Sequence, residues 1–191
     1  MTARDLIHAD EIDALVCAAY RALETPVSAA TWLYSDEQLD WLPEGAREWA
    51  LGVGNPVPHA GLRSGETVID LGCGAGIDVL LAAREVGPEG RVTGLDTLPE
   101  MVERGRRFAQ ESGLETAEFI EGRMDAIPLP DESVDVVISN GAINLAARKS
   151  RVLAEALRVL RPGGRLCVAD LTIVEEDLPP EIITHPSAWA G

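Results

Sequence analysis

The chain has 191 residues, 46% apolar and 25% charged, enough for one well-buried domain and too few for a comfortable two. A formal net charge of −16 argues against nucleic acid, which demands clustered Lys and Arg. No apolar run approaches the roughly 20 residues that span a bilayer, the N-terminus lacks a signal peptide's apolar core, and Cys17, Cys73 and Cys167 are too scattered for a disulfide framework or metal site, so the expectation is a cytoplasmic protein with no membrane partner and no metal.

In chain order, Ile12, Leu15, Val16, Ala19 and Leu23 recur at helical spacing, predicting one amphipathic helix closed by Pro26. Trp32, Tyr34, Trp41 and Trp49 follow among acidic residues, and GVGNPVP (52–58) is a stiff, turn-rich connector. Residues 1–60 read as an N-terminal helical segment, either a cap over a ligand site or a plain helical layer. Residues 61–191 read as the main unit of a single compact domain.

From Glu66 onward strands alternate with helices. TVIDL (67–71) is a continuous apolar run, as expected of a strand buried on both faces. A helix over 77–86 stops at Gly87-Pro88. RVTGLD (91–96) is the second strand, and a helix over 99–112 carries Pro near its first turn. Strands over 117–122 and 134–139 come next, then a helix over 147–160 closed by Arg161-Pro162-Gly163-Gly164. RLCVADL (165–171) is the fifth strand. Such alternation calls for an α/β fold with a doubly wound, mostly parallel sheet and right-handed crossovers. With no later strand in the sequence, 165–171 would form an edge, which invites pairing with another chain. The expectation is a homo-oligomer or a partner subunit covering that edge, or else a chain truncated after its fifth strand.

DLGCGAG (70–76) joins the first strand to the first helix of the alternation. Its glycines permit a tight turn and let a ligand approach backbone N–H groups. About 20 residues on, Asp96 ends the second strand, where a carboxylate accepts ribose hydroxyls. The dinucleotide fingerprint GxGxxG is not met: the loop reads GxGxG, with Ile77 where the last small residue belongs. Asp70, directly before the loop, suits a cationic amino-acid group better than a pyrophosphate. S-adenosylmethionine matches this charge pattern, and a nicotinamide dinucleotide is the second candidate.

VIDLGCGAG, VTGLD, RMDAIPLPDESVDVVIS and VLRPGG together resemble class I S-adenosylmethionine-dependent methyltransferases over residues 61–171. The resemblance implies a Rossmann-like fold and a small-molecule methyl acceptor. It also implies a site in which Asp70, Gly72, Cys73, Gly74 and Gly76 run beside the methionine moiety. Asp96, with Thr97 next to it, would bind ribose; Met101 would lie near the adenine. Asp125 would hydrogen-bond the adenine amino group, with the Met124 backbone close by.

Residues 33–46, 52–57, 87–106, 137–145 and 179–191 are further similar to the arsenite methyltransferase family, in which cysteine thiolates hold trivalent arsenic as soft ligands for a soft centre. The family pattern places those cysteines in the connector, after VISN and just beyond the segment matching AWAG. Here the positions are Val53, Gly141 and the end of the chain. The resemblance thus implies the methyltransferase site without its arsenic ligands, which leaves three readings. These are a small-molecule methyltransferase, an arsenite methyltransferase with an altered thiol set, and a non-catalytic cofactor-binding subunit completing another enzyme. In-line methyl transfer needs a general base only if the acceptor arrives protonated. His8, His59 and His185 are weak candidates for one. Asn140, at the end of the fourth strand, is the candidate for positioning the acceptor or the cofactor's methyl end, with a packing or loop-capping role as the alternative.

Overall fold

The computed structural model describes residues 9–23 and 28–172. Five strands, β1 (Thr67–Leu71), β2 (Arg91–Asp96), β3 (Ala117–Glu121), β4 (Val134–Asn140) and β5 (Leu160–Ala169), form one sheet in the order β3-β2-β1-β4-β5. Every pairing is parallel. The order reverses at β1, so the C-terminal ends of β1, β2 and β4 meet where a doubly wound sheet leaves its crevice.

The apolar runs explain this arrangement. In β1, Val68, Ile69 and Leu71 are fully buried, and so are Val136, Val137 and Ile138 of β4. Side chains alternate between faces along a strand. Val68, Val136 and Ile138 join a core with α5 (Ile77–Val86) and α6 (Pro99–Glu111), whereas Ile69, Leu71 and Val137 meet α7 (Lys149–Val159) on the other face. Each of these side chains contributes about 1.5–3 kcal/mol by leaving water.

Ahead of the sheet lie α1 (Ala9–Arg21), α2 (Ala30–Leu33), α3 (Asp36–Trp41) and α4 (Glu44–Glu48). Ser35 and Gln38 form a reciprocal capping box at the start of α3. Ala30, Tyr34, Leu39, Leu42 and Ala46 share the core of α5 and α6, while Trp32 stands 88% exposed. The expected helix stop Pro26 lies outside the described residues, as does the segment 179–191.

One expected boundary moves. Residues 161–164, read as a turn closing the last helix, belong to β5, which starts directly after α7. Leu160 pairs with Val134 and Arg165 with Val136, so Pro162, Gly163 and Gly164 are absorbed as a bulge. Gly163 takes φ +83° there, and a Cβ on Gly164 would stand 2.8 Å from the Asp135 carbonyl. Among the described residues, β5 has no partner on its outer edge.

Candidate functional site

A cavity of about 540 Å³ opens at the C-terminal ends of β1, β2 and β4, roofed by α1 and walled by Trp49, Leu51 and Gly52 of the N-terminal segment. The glycine loop is its floor. Gly72 and Cys73 donate backbone N–H bonds to the Leu95 carbonyl at 2.8 and 3.0 Å, and Ser139 Oγ donates to the Leu71 carbonyl at 2.8 Å. The ends of the three central strands are thereby tied together beneath the ligand space.

Asp70, Gly72, Cys73 and Gly74 all line the cavity. Asp70 is 2% exposed, and its buried Oδ1 has no hydrogen-bond partner among the described residues. Burial, reinforced by Asp78 and Asp96, raises its carboxyl well above the ordinary carboxylate range. Burial likewise raises the Cys73 thiol, so that sulfur stays protonated. Gly76 stands apart from its neighbours in the loop. It is absent from the lining and instead starts α5 at φ +90°, where a Cβ would come within 2.5 Å of the Phe119 ring. Expected at the cofactor, it serves helix–sheet packing.

At the end of β2, Asp96 accepts from Gly74 N at 2.8 Å through Oδ2 and from Leu98 N at 2.9 Å through Oδ1. Burial raises its carboxyl against these hydrogen bonds. Thr97, Met101, Met124 and Asp125 line the same end. Asp125 is engaged by Arg123, whose Nε and Nη2 reach its two oxygens at 2.9 and 3.0 Å. That pairing lowers its carboxyl.

Asn140 lines the cavity, yet its amide is fully used by the protein. Oδ1 accepts from Val53 N at 2.9 Å and Gly54 N at 3.0 Å. Nδ2 lies 2.9 Å from Asp78 Oδ2, 2.7 Å from the Gly54 carbonyl and 3.2 Å from the Tyr34 hydroxyl. Of the two roles expected for Asn140, positioning the acceptor or the cofactor's methyl end and capping the loop, these contacts are those of a loop anchor. Its close packing explains Gly52, where a Cβ would stand 2.3 Å from Nδ2.

Asp78 carries no motif in the sequence. It is 3% exposed on α5, lines the cavity and accepts from Tyr34 Oη at 3.0 Å. Burial pushes its carboxyl up to about 6 against the hydrogen bonds from Asn140 and Tyr34. Also unanticipated are Asp13, Cys17 and Tyr20 of α1 and Arg123. The i, i+4, i+7 spacing of the α1 trio was the available signal. His59 is exposed outside the cavity lining, and His8 and His185 lie outside the described residues.

The two family positions for arsenic-binding cysteines meet in space. A Cβ on Gly141 would lie 3.4 and 3.5 Å from the two γ-carbons of Val53.

With this geometry, comparison with known proteins is decisive. A family model described as a methyltransferase domain matches residues 62–190. The chain belongs to that methyltransferase family. An arsenite methyltransferase of Halobacterium salinarum is 42% identical over 169 residues, 88% of this chain and 43% of the relative. A demethylmenaquinone methyltransferase of Listeria welshimeri is 38% identical over 57% of this chain and 46% of its own length. The chain therefore spans less than half of these curated relatives. An arsenic(III) S-adenosylmethionine methyltransferase of Chlamydomonas reinhardtii matches in structure with a TM-score of 0.72 at 37% identity, covering 85% of this chain and 55% of that one. The Rossmann-like, five-stranded parallel core is common ground with this methyltransferase. Among the described residues no helix is long and apolar enough to cross a membrane.

Proposed function

We propose that the chain binds S-adenosylmethionine and directs methyl transfer to a small-molecule acceptor other than arsenite. The carrying observation is Asp70: a buried carboxylate lining the cavity, with one oxygen lacking any partner among the described residues. Burial keeps this carboxyl protonated because ionising it without a counter-charge is costly, and an amino-acid ammonium would supply that counter-charge. When bound, the cofactor supplies a methyl group activated on a sulfonium. Asp70 and the Gly72–Gly74 backbone would hold its amino-acid end. Asp96 and Thr97 would hold the ribose, and Met101, Met124 and Asp125 would flank the adenine. The protein's own residues then orient donor and acceptor and exclude water.

The remaining wall sets the acceptor. Leu51, Gly52, Gly141, Ala142 and Leu145 bring no charge, thiol or imidazole to it. The arsenite methyltransferase relatives guide the fold of the site, but Val53 and Gly141 cannot ligate a thiophilic metalloid. Asp78, which lines the same cavity with its carboxyl pushed up to about 6, is the group near this wall that could take a proton from an acceptor that arrives protonated.

Calorimetric titration tests this reading. S-adenosylmethionine and S-adenosylhomocysteine should bind, and Asp70→Asn should weaken S-adenosylmethionine by about tenfold or more, the worth of a hydrogen bond to a charged group. No binding of either compound at millimolar concentration would sink it. A second reading, a non-catalytic cofactor-binding subunit that completes another methyltransferase, draws on the outer edge of β5, which has no partner among the described residues, and on Val168 and Leu171, 41% and 66% exposed. A mass by light scattering at twice the 20.4 kDa of the chain would place a second copy of this chain there and count against that reading.

A further inference from the structure

Helix α1 sends Asp13, Ala14, Val16, Cys17, Tyr20 and Arg21 into the cavity lining. Its own packing is light: Ile12 is buried at 8% exposure, while Leu15 on the same helix is 40% exposed. Cys17 and Tyr20 pack in part against the core, and beyond that a set of side-chain tips holds the helix over the cavity. Cys17 Sγ lies 3.8 Å from Thr97 Oγ1, Arg21 Nε lies 3.5 Å from Glu100 Oε1, and Arg123 Nη2 lies 2.7 Å from Asp13 Oδ2. The last is the shortest, and it comes from a residue that also grips the sheet side. The same Nη2, with Nε, holds both oxygens of Asp125. Without the guanidinium, Asp13 and Asp125 would be two carboxylates facing each other across the adenosine end, a repulsive pair. With it they share one planar cation.

We propose that Arg123 is a positioning residue that clamps helix α1 over the adenosine end of the cavity, pairing Asp13 on the roof while it holds Asp125 on the floor. Release of a nucleoside-bearing ligand then competes with the clamp, and occupancy of the site depends on ionic strength. The inference that the clamp governs cofactor release rests on the cofactor reading above; the clamp itself does not.

Two measurements on the full chain decide it. In the ligand-free protein, alkylation of Cys17 by N-ethylmaleimide, followed by peptide mass spectrometry, reports lifting of α1. The rate should rise with sodium chloride in the native chain. In Asp13→Asn it should be about two- to five-fold faster at low salt, the worth of a partly exposed ion pair, with a weaker salt response. Asp13→Glu should restore the native rate. An Asp13→Asn chain that alkylates like the native one, with the same salt response, overturns the clamp. Should Asp13→Asn misfold by circular dichroism, the salt response of the native chain decides alone: a rate independent of salt overturns the clamp. In the second measurement, stopped-flow dissociation of S-adenosylhomocysteine is followed by the change in intrinsic tryptophan fluorescence, of the chain's four tryptophans Trp49 being the one in the described cavity lining. Dissociation should accelerate by the same factor in Asp13→Asn, with association nearly unchanged. Faster alkylation without faster dissociation overturns the link to release. Absence of binding overturns the cofactor reading and leaves the first measurement to judge the clamp.

Discussion

Asn140 Nδ2 stands 2.9 Å from Asp78 Oδ2, and this contact joins the end of β4 to a helix whose sequence position is 62 residues away. Through its other side the same amide accepts the N–H groups of Val53 and Gly54. Removing it would leave two connector N–H groups and a buried carboxylate short of partners. Asn140→Ala should therefore cost about 2–4 kcal/mol of stability, read as a lower urea midpoint at unchanged slope. A residue serving only to align an acceptor would leave that midpoint where it was. Equal midpoints would refute the anchoring role.

The carboxyl that Asn140 faces makes stability depend on pH in an unusual sense. Asp78 is raised by burial from 3.8 to about 6 in the folded chain. Between those values the folded chain keeps a proton that the unfolded chain has released, so its contribution to stability falls as pH rises through that window. Asp70, raised by the same cause, acts in the same direction. Asp125, Asp135 and Glu155 are lowered instead, so their stabilisation is lost only as pH falls below the ordinary carboxylate values. Urea unfolding at a series of pH values should show stability declining from about pH 4 to pH 6, and Asp78→Asn should flatten that decline by an amount on the order of 3 kcal/mol. A decline of unchanged steepness in the variant would count against the raised carboxyl.

The glycine loop separates into binding and packing positions. Gly74 lines the cavity at φ +52° with nothing within 4 Å of a built Cβ, whereas Gly76 at φ +90° has Phe119 at 2.4 Å and the Gly105 Cα at 3.7 Å. Gly74→Ala pays mainly for the left-handed backbone, about 1 kcal/mol, and should keep the fold while weakening S-adenosylhomocysteine. Gly76→Ala adds an overlap in a packed core, for about 3 kcal/mol or more in total. Thermal unfolding paired with calorimetry distinguishes the two. A Gly76→Ala chain as stable as Gly74→Ala would contradict the packing assignment.

How much of this was legible in the residues follows from the range of the interactions involved. Strands β1 and β2 and helix α5 match their sequence boundaries, because a strand buried on both faces is a continuous apolar run and Gly87 stops the helix locally. The bulge at 162–164 was not legible: proline and two glycines read as a turn until Val134 and Val136 of β4 impose the register. Asp70, Gly72, Gly74 and Asp96 were expected together from strand–loop–helix context, and they line one cavity. Asn140 was visible as a residue, but its partners come from 62 to 106 positions away, which no local pattern encodes. Asp78 sits in a helix read only by its pattern and its stop at Gly87-Pro88, and Arg123 gains meaning only once α1 is seen over it.

Val53 and Gly141, finally, allow the missing chemistry to be put back. A Cβ at position 141 would lie in ordinary contact with the side chain at position 53, so cysteines at both sites would present adjacent sulfurs. Gly141 has φ +69°, and a side chain there costs about 1–2 kcal/mol, less than the 5–15 kcal/mol typical of a whole domain. The double variant Val53→Cys/Gly141→Cys should bind arsenite through two thiolates, since soft ligands select a thiophilic centre. Thiol titration after arsenite treatment should show two sulfurs protected together, against none at these positions in Val53→Cys alone, because one thiolate gives no chelate. The native thiols bear on the control: Cys73 is buried with its thiol raised, Cys167 is raised by burial as well, and Cys17, partly exposed in the cavity lining, is replaced by Ser in both variants. A double variant no better protected than the single one would mean that the two positions do not converge in solution. The reading of this wall as an acceptor site stripped of its metalloid ligands would then fall with it.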